Sequence, residues 1–164
     1  MNWIAVIVAA LVPMVIGFIW YNPMLFGNAW MKASGMTEEK MKGGNMPVIF
    51  GVSFVLSLLL AMYMHPLAIH QANIDGLFFH GNEAPTPDSE EGKFLAEFHE
   101  KYDGLHRTFK HGAVHGIFAA IFFILPIMGT NALFERKGWK YILVNAGYWL
   151  VTVAIMGGII CGWP

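Results

Sequence analysis

Long uncharged apolar stretches alternate with short polar ones along this 164-residue chain. The apolar stretches run from Trp3 to Tyr21, Pro47 to Met64, Gly112 to Gly129 and Tyr141 to Cys161, and none contains Lys, Arg, Asp or Glu. A helix of roughly 20 apolar residues crosses the hydrocarbon core of a bilayer, whereas a soluble helix keeps a polar face. The pattern predicts an all-α, integral membrane four-helix bundle. It forms a single membrane domain over 1–164, with spanning helices at about 3–21, 47–64, 112–129 and 141–161 and an extramembrane segment at about 70–106. The first stretch has no basic residue before it and no small-residue cleavage site followed by a polar start, so it reads as a spanning helix rather than a signal peptide.

Shorter elements follow from caps and breakers. Asn22 before Pro23 is a helix start, which predicts a helix from Pro23 to about Ser34 with Gly35 as its stop. Leu25, Phe26, Ala29, Trp30 and Ala33 share one face of it, as in a short interfacial amphipathic helix. Thr37-Glu38-Glu39 opens a second short helix that Gly43-Gly44 breaks. Between helices 2 and 3, the turn formers Asp75-Gly76, Gly81-Asn82, Pro85 and Pro87 surround Leu77-Phe78-Phe79, which predicts an irregular loop or short hairpin. Ser89 to Tyr102 reads as a helix capped by Asp88 or Ser89. Its face of Phe94, Leu95, Phe98 and Tyr102 is expected to rest on the membrane, the bundle or a neighbouring subunit. Pro13 and Pro126, inside apolar stretches, predict kinks.

Small residues recur at spacing four: Ala5, Ala9, Pro13 and Gly17; Ser53, Ser57 and Ala61; Gly112 and Gly116; Ala154, Gly158 and Gly162. In lipid such stripes let helix backbones approach, within one chain or between subunits. Gly112, Gly116, Gly158 and Gly162 are the expected helix-packing positions. Composition agrees with a membrane protein: 56% of residues are hydrophobic and 13% charged, against about 25% charged in soluble domains. The single Cys161 excludes an intrachain disulfide and reads as packing. Basic residues mark the two short loops (Lys32, Lys40 and Lys42; Arg136, Lys137 and Lys140), while eight acids lie in the middle segment. The positive-inside rule puts those loops in the cytoplasm and both termini, with the 65–110 segment, outside.

All seven histidines fall between His65 and His115. His111 and His115 stand four apart, so both imidazoles share one helix face, a geometry that holds a metal or haem iron. His106, with Glu97, Glu100 or Asp103, would supply further ligands. The plainer alternative is a set of interfacial histidines bonded to backbone and neighbours. Ionisable residues at membrane depth face the protein interior, so His111 and His115 are expected to face a polar cavity. Asn131 is expected at a helix terminus and Asn145 in an interhelical hydrogen bond. There is no Gly-rich phosphate loop, nucleophile elbow, His-Glu-x-x-His or Cys pair, and no basic patch for nucleic acid. No cofactor is required by these residues, and the chain does not read as an enzyme. The spans also lack the carboxylate of a proton-coupled carrier.

Met1-Asn2-Trp3 and the block Trp20-Tyr21-Asn22-Pro23-x-x-Phe26-Gly27-x-x-Trp30 carry a resemblance. So do His111-Gly112-x-x-His115-Gly116 and the run from Gly147-Tyr148 through Met156-Gly157-Gly158 to Trp163. The chain resembles the bacterial membrane family catalogued as domain of unknown function 1761. The resemblance implies a four-helix protein of the bacterial inner membrane, which would make the outer side periplasmic, and it brings no established activity. The expectation that follows is a non-enzymatic membrane protein acting as a homo-oligomer or accessory subunit of a membrane complex. The alternatives are a small channel or carrier for an ion or small solute, and a histidine-ligated metal or haem protein.

Overall fold

A computed structural model describes residues 1–81 and 83–163; Asn82, half of the expected Gly81-Asn82 turn, and Pro164 lie outside them. The described residues are helical apart from turns and one isolated bridge between His80 and Glu83. The chain runs through α1 (Trp3–Trp20), α2 (Gly27–Ser34), α3 (Glu38–Lys42), α4 (Met46–Ala68) and α5 (Gln71–Ile74), then a 3-10 turn at Asp75–Phe78. It continues with α6 (Glu90–Tyr102), α7 (Phe109–Ala119), a π turn at Ala120–Ile124, α8 (Leu125–Phe134) and α9 (Trp139–Gly162). Among the described residues, four helical runs are long and apolar enough to cross a membrane: Trp3–Trp20, Met46–Ala68, Phe109–Phe134 and Trp139–Gly162.

Side-chain oxygens fix several helix starts. Asn2 accepts from Ile4 and Ala5, Asn45 from Val48, Ser89 from Gly92, and Thr108 from His111. The structure moves several sequence-derived boundaries, and the third span runs over Phe109–Phe134 rather than 112–129. Asn22-Pro23 does not open a helix: Asn22 organises a turn whose carbonyl accepts from Leu25 and Gly27, and α2 starts only at Gly27. The second spanning helix does not stop at Met64 but runs through Pro66 to Ala68, with the freed Pro66 carbonyl accepting from Asn73. Pro13 and Pro126, the other prolines inside the apolar stretches, sit within continuous helical runs. The Pro13 carbonyl accepts from the buried Tyr148 hydroxyl at 2.8 Å. Just before Pro126, which has no N–H to return to the preceding turn, the ladder widens and Leu125 donates to Ala120.

The core is built from small side chains. Ala5, Val6, Ala9 and Ala10 of α1, Ala61 and Met64 of α4, Ala119 of α7, and Val153, Met156, Ile160 and Cys161 of α9 are buried together. Large apolar side chains point outward instead, among them Phe18, Val55, Leu56, Leu59 and Phe122. Lipid accepts such a surface and water does not. The closest approach is between α7 and α9. A Cβ on Gly112 would fall on the Gly157 carbonyl and one on Gly116 on the Val153 carbonyl, while Gly158 and Gly162 lie against the ring and backbone of Phe109.

Gly112→Ala or Gly158→Leu is expected to lower thermal stability in detergent by at least the roughly 1–3 kcal/mol typical of overpacking. Gly51, whose Cβ position is open, serves as control, and Gly51→Ala is expected to leave the melting temperature unchanged or raised. Equal melting of all three variants would show that α7 and α9 do not touch through these glycines.

Candidate functional site

Packing α7 on α9 through glycine turns the neighbouring histidines toward the end of α4. His111 follows the Thr108 cap by one turn, and its Nε2 lies 3.1 Å from Nε2 of His70, in the short link between α4 and α5. His115 completes the group one turn further along α7, with its ring centroid 4.6 Å from that of His111 and 4.8 Å from that of His70. One ligand nitrogen from each of the three rings lies within 4.8 Å of the other two. Two nitrogens at 2.0–2.1 Å from a tetrahedral Zn²⁺ stand about 3.3 Å apart, so the His70–His111 pair is already near chelating distance.

His106 lies outside this converging set. Its ring stacks on His111 with centroids 5.1 Å apart, and its backbone occupies the left-handed region at φ 62°. Its carbonyl accepts from the Thr108 N–H at 2.8 Å and from Cys161 Sγ at 3.4 Å, so the turn is held from two sides. Arg107 anchors the same corner, its guanidinium donating to the Cys161 and Trp163 carbonyls at the C-terminal end of α9. Gln71 is buried and donates to the carbonyls of Tyr102 and Leu105, which fastens α5 to the end of α6.

Sequence spacing brings out His111 and His115 but misses His70, which reaches the site from another helix. The one available signal is that every histidine falls from His65, in the last turn of the second span, to His115, in the first turns of the third. The two α7 rings gather half-exposed at the end of the span, rather than in a cavity within it. The carboxylates take other places: Asp103 bonds His99, while Glu97 and Glu100 are exposed on α6. Asn145 bridges two helices, accepting from the Tyr21 hydroxyl at 2.7 Å, and Asn131 lies within the last turns of α8.

The aromatic block serves architecture at the opposite end. Trp20 stacks on Phe26 and donates to the Val144 carbonyl. Tyr21 packs against Trp30 and Tyr148, and Gly27 leaves room for the Tyr21 carbonyl. Pro23 is exposed in the turn, where Asn22 Oδ1 accepts from Met24.

Above the histidines, α6 is clamped to the 3-10 turn. His99 places Nδ1 2.7 Å from Asp103 and Nε2 2.6 Å from Asp75, and Phe94 packs on Phe78. The apolar face of α6 thus partly covers the α5 region. Hydrogen bonds to the Asp103 and then the Asp75 carboxylates raise the His99 pKa above its ordinary value.

Four candidate membrane spans in an all-helical chain define the class of protein. The family described as Protein of unknown function (DUF1761) matches residues 4–161, and the chain belongs to that family. No curated protein and no solved structure matches it.

A group whose pKa is raised by folding contributes fully below its unfolded value, about 6.5 for histidine, and loses that contribution as pH rises through the folded value. Amide exchange across Glu90–Tyr102, corrected for its intrinsic pH dependence, is therefore expected to quicken from pH 6 to pH 9. His99→Gln should flatten this change. A pH-independent profile in the unaltered protein would show that the Asp75–His99–Asp103 contacts do not hold α6.

Proposed function

We propose that this is a multi-pass membrane protein whose working centre is a transition-metal ion held by His70, His111 and His115. The observation that carries this reading is the convergence of three imidazole nitrogens from two separate helical segments. Imidazole donors suit zinc, copper, nickel and iron. Three protein ligands leave a coordination position open, as catalytic rather than structural sites do. His106 acts through its stacking on His111, orienting that ring. The metal reading is favoured over a purely architectural role because these four rings occupy one end of the spans, away from the aromatic block.

The same proposal arranges the spans as a four-helix bundle in a bacterial inner membrane, with both termini and the 65–110 segment on the periplasmic side. The bond from Arg107 to the C-terminal carbonyls and the cavity shared by Met1, His65 and Arg107 support one common end. At the other end, Lys137 donates to the Ser34 carbonyl at 2.7 Å, so the two basic loops meet. A second reading, self-association, is favoured by an apolar cleft of about 420 Å³ between α1, α4 and α9, lined by Gly17, Ser53, Leu56 and Tyr148. On this reading an apolar side chain of a second copy occupies the cleft.

Isothermal titration of metal-stripped protein in detergent is expected to show one Zn²⁺ per chain. His70→Ala and His111→Ala should each weaken binding beyond the roughly 10–100-fold that loss of an outer partner costs, with His106→Ala inside that range. His80→Ala, whose backbone bridges Glu83, should leave binding unchanged. Equal binding by all four variants would remove the centre. Native mass spectrometry is expected to show Zn²⁺-loaded multiples of the chain; a monomer at every concentration would contradict self-association and leave the metal reading intact.

A further inference from the structure

We infer that the metal centre is one wall of a binding site for a small organic anion with an apolar body, whose carboxylate-type head takes the metal's open position. The inference rests on the metal reading above and goes further in naming what the site receives. A cavity of about 200 Å³ adjoins the histidines, with His70, His106 and Gln71 in its lining together with Ile74, Phe98, Tyr102 and Leu105. His70 belongs both to the converging set and to this cavity, and His106, which lines it too, stacks on His111, so the ligands of the ion border the cavity.

The chemistry of the walls selects the ligand. Three neutral imidazoles leave the full charge of a divalent ion uncompensated, and an anionic oxygen donor balances part of it. Away from the histidines the walls are mostly apolar, with Gln71 and the Tyr102 phenol as the exceptions. The Gln71 side-chain amide is already committed to the Tyr102 and Leu105 carbonyls, so it offers those two donors to the backbone rather than to a ligand. Apart from the histidines, only Gln71 and the Tyr102 phenol bring polar atoms to the cavity, so a fully polar anion would meet few partners there, whereas an aromatic or short aliphatic carboxylate fills it with its apolar part. The backbone at His106, in the left-handed region, is the kind of locally strained turn that clusters at ligand sites. Here it swings the imidazole onto His111 and closes one side of the pocket.

Co²⁺-loaded full-length protein in detergent, titrated with benzoate, tests this. The visible bands of a Co²⁺ ion with imidazole ligands change when its open position is filled. Benzoate is expected to shift them saturably. Ile74→Trp, which fills the cavity without removing a ligand, should keep the starting Co²⁺ spectrum and weaken the benzoate response by about tenfold or more. Leu105→Phe is a milder filler that should weaken it less. No benzoate response in the unaltered protein overturns the inference, while its Co²⁺ bands leave the metal centre standing. An equal response in Ile74→Trp and Leu105→Phe also overturns it, since the anion would then reach the ion from solvent without using the cavity. Absence of Co²⁺ bands altogether overturns the metal centre and this inference together.

Discussion

The contact of α7 with α9 through glycine is the constraint on which the rest depends. Inside a bilayer, apolar side chains gain little by leaving lipid for protein, so helices hold together by close packing and short polar contacts. Gly112 against Gly157 and Gly116 against Val153 bring backbone onto backbone. Successive residues of a helix are offset by about 100°, so the glycine face fixes where every other α7 side chain points. His111 and His115 are each the residue before one of those glycines, and they are thereby turned to the side where α4 ends. A bulkier residue at 112 would separate the helices and also carry the two imidazoles away from His70.

The two ends of the molecule divide the work. At one end the block from Trp20 to Trp30 joins α1, α2 and α9 through stacked rings and through the Trp20 and Tyr21 hydrogen bonds. At the other end the links are polar: Arg107 on the last carbonyls of α9, Gln71 on those of Tyr102 and Leu105, and His99 between two aspartates. The surface between the ends is apolar and offered to lipid. A site built at the polar end keeps access to water and ions while drawing its rigidity from helices buried in the membrane.

What could be read from the sequence follows the range of the interactions involved. The apolar stretches are local and continuous, so four candidate spans are legible. The His111–His115 spacing is set within one helix and is equally plain. His70 is not, because it meets His111 only through the antiparallel placement of α4 and α7. The start of α2 is misread for a related reason: the Asn22-Pro23 pair carries helix-start chemistry, but Phe26 folds back onto Trp20, and Phe26 N–H donates to the Trp20 carbonyl. The helix continues past Pro66 to Ala68, and Asn73, beyond its end, takes up the Pro66 carbonyl, one of the last carbonyls left without an intrahelical donor. The π turn before Pro126 likewise leaves no mark in the pattern of apolar residues.

A three-histidine centre at the membrane edge is the central claim, and X-ray absorption at the zinc edge of the loaded protein tests it most directly. About three nitrogen scatterers near 2.0–2.1 Å are expected, with the outer-shell signature of imidazole rings and one further light donor. A shell of oxygen scatterers without imidazole features, or a sulfur scatterer from Cys161, would contradict it.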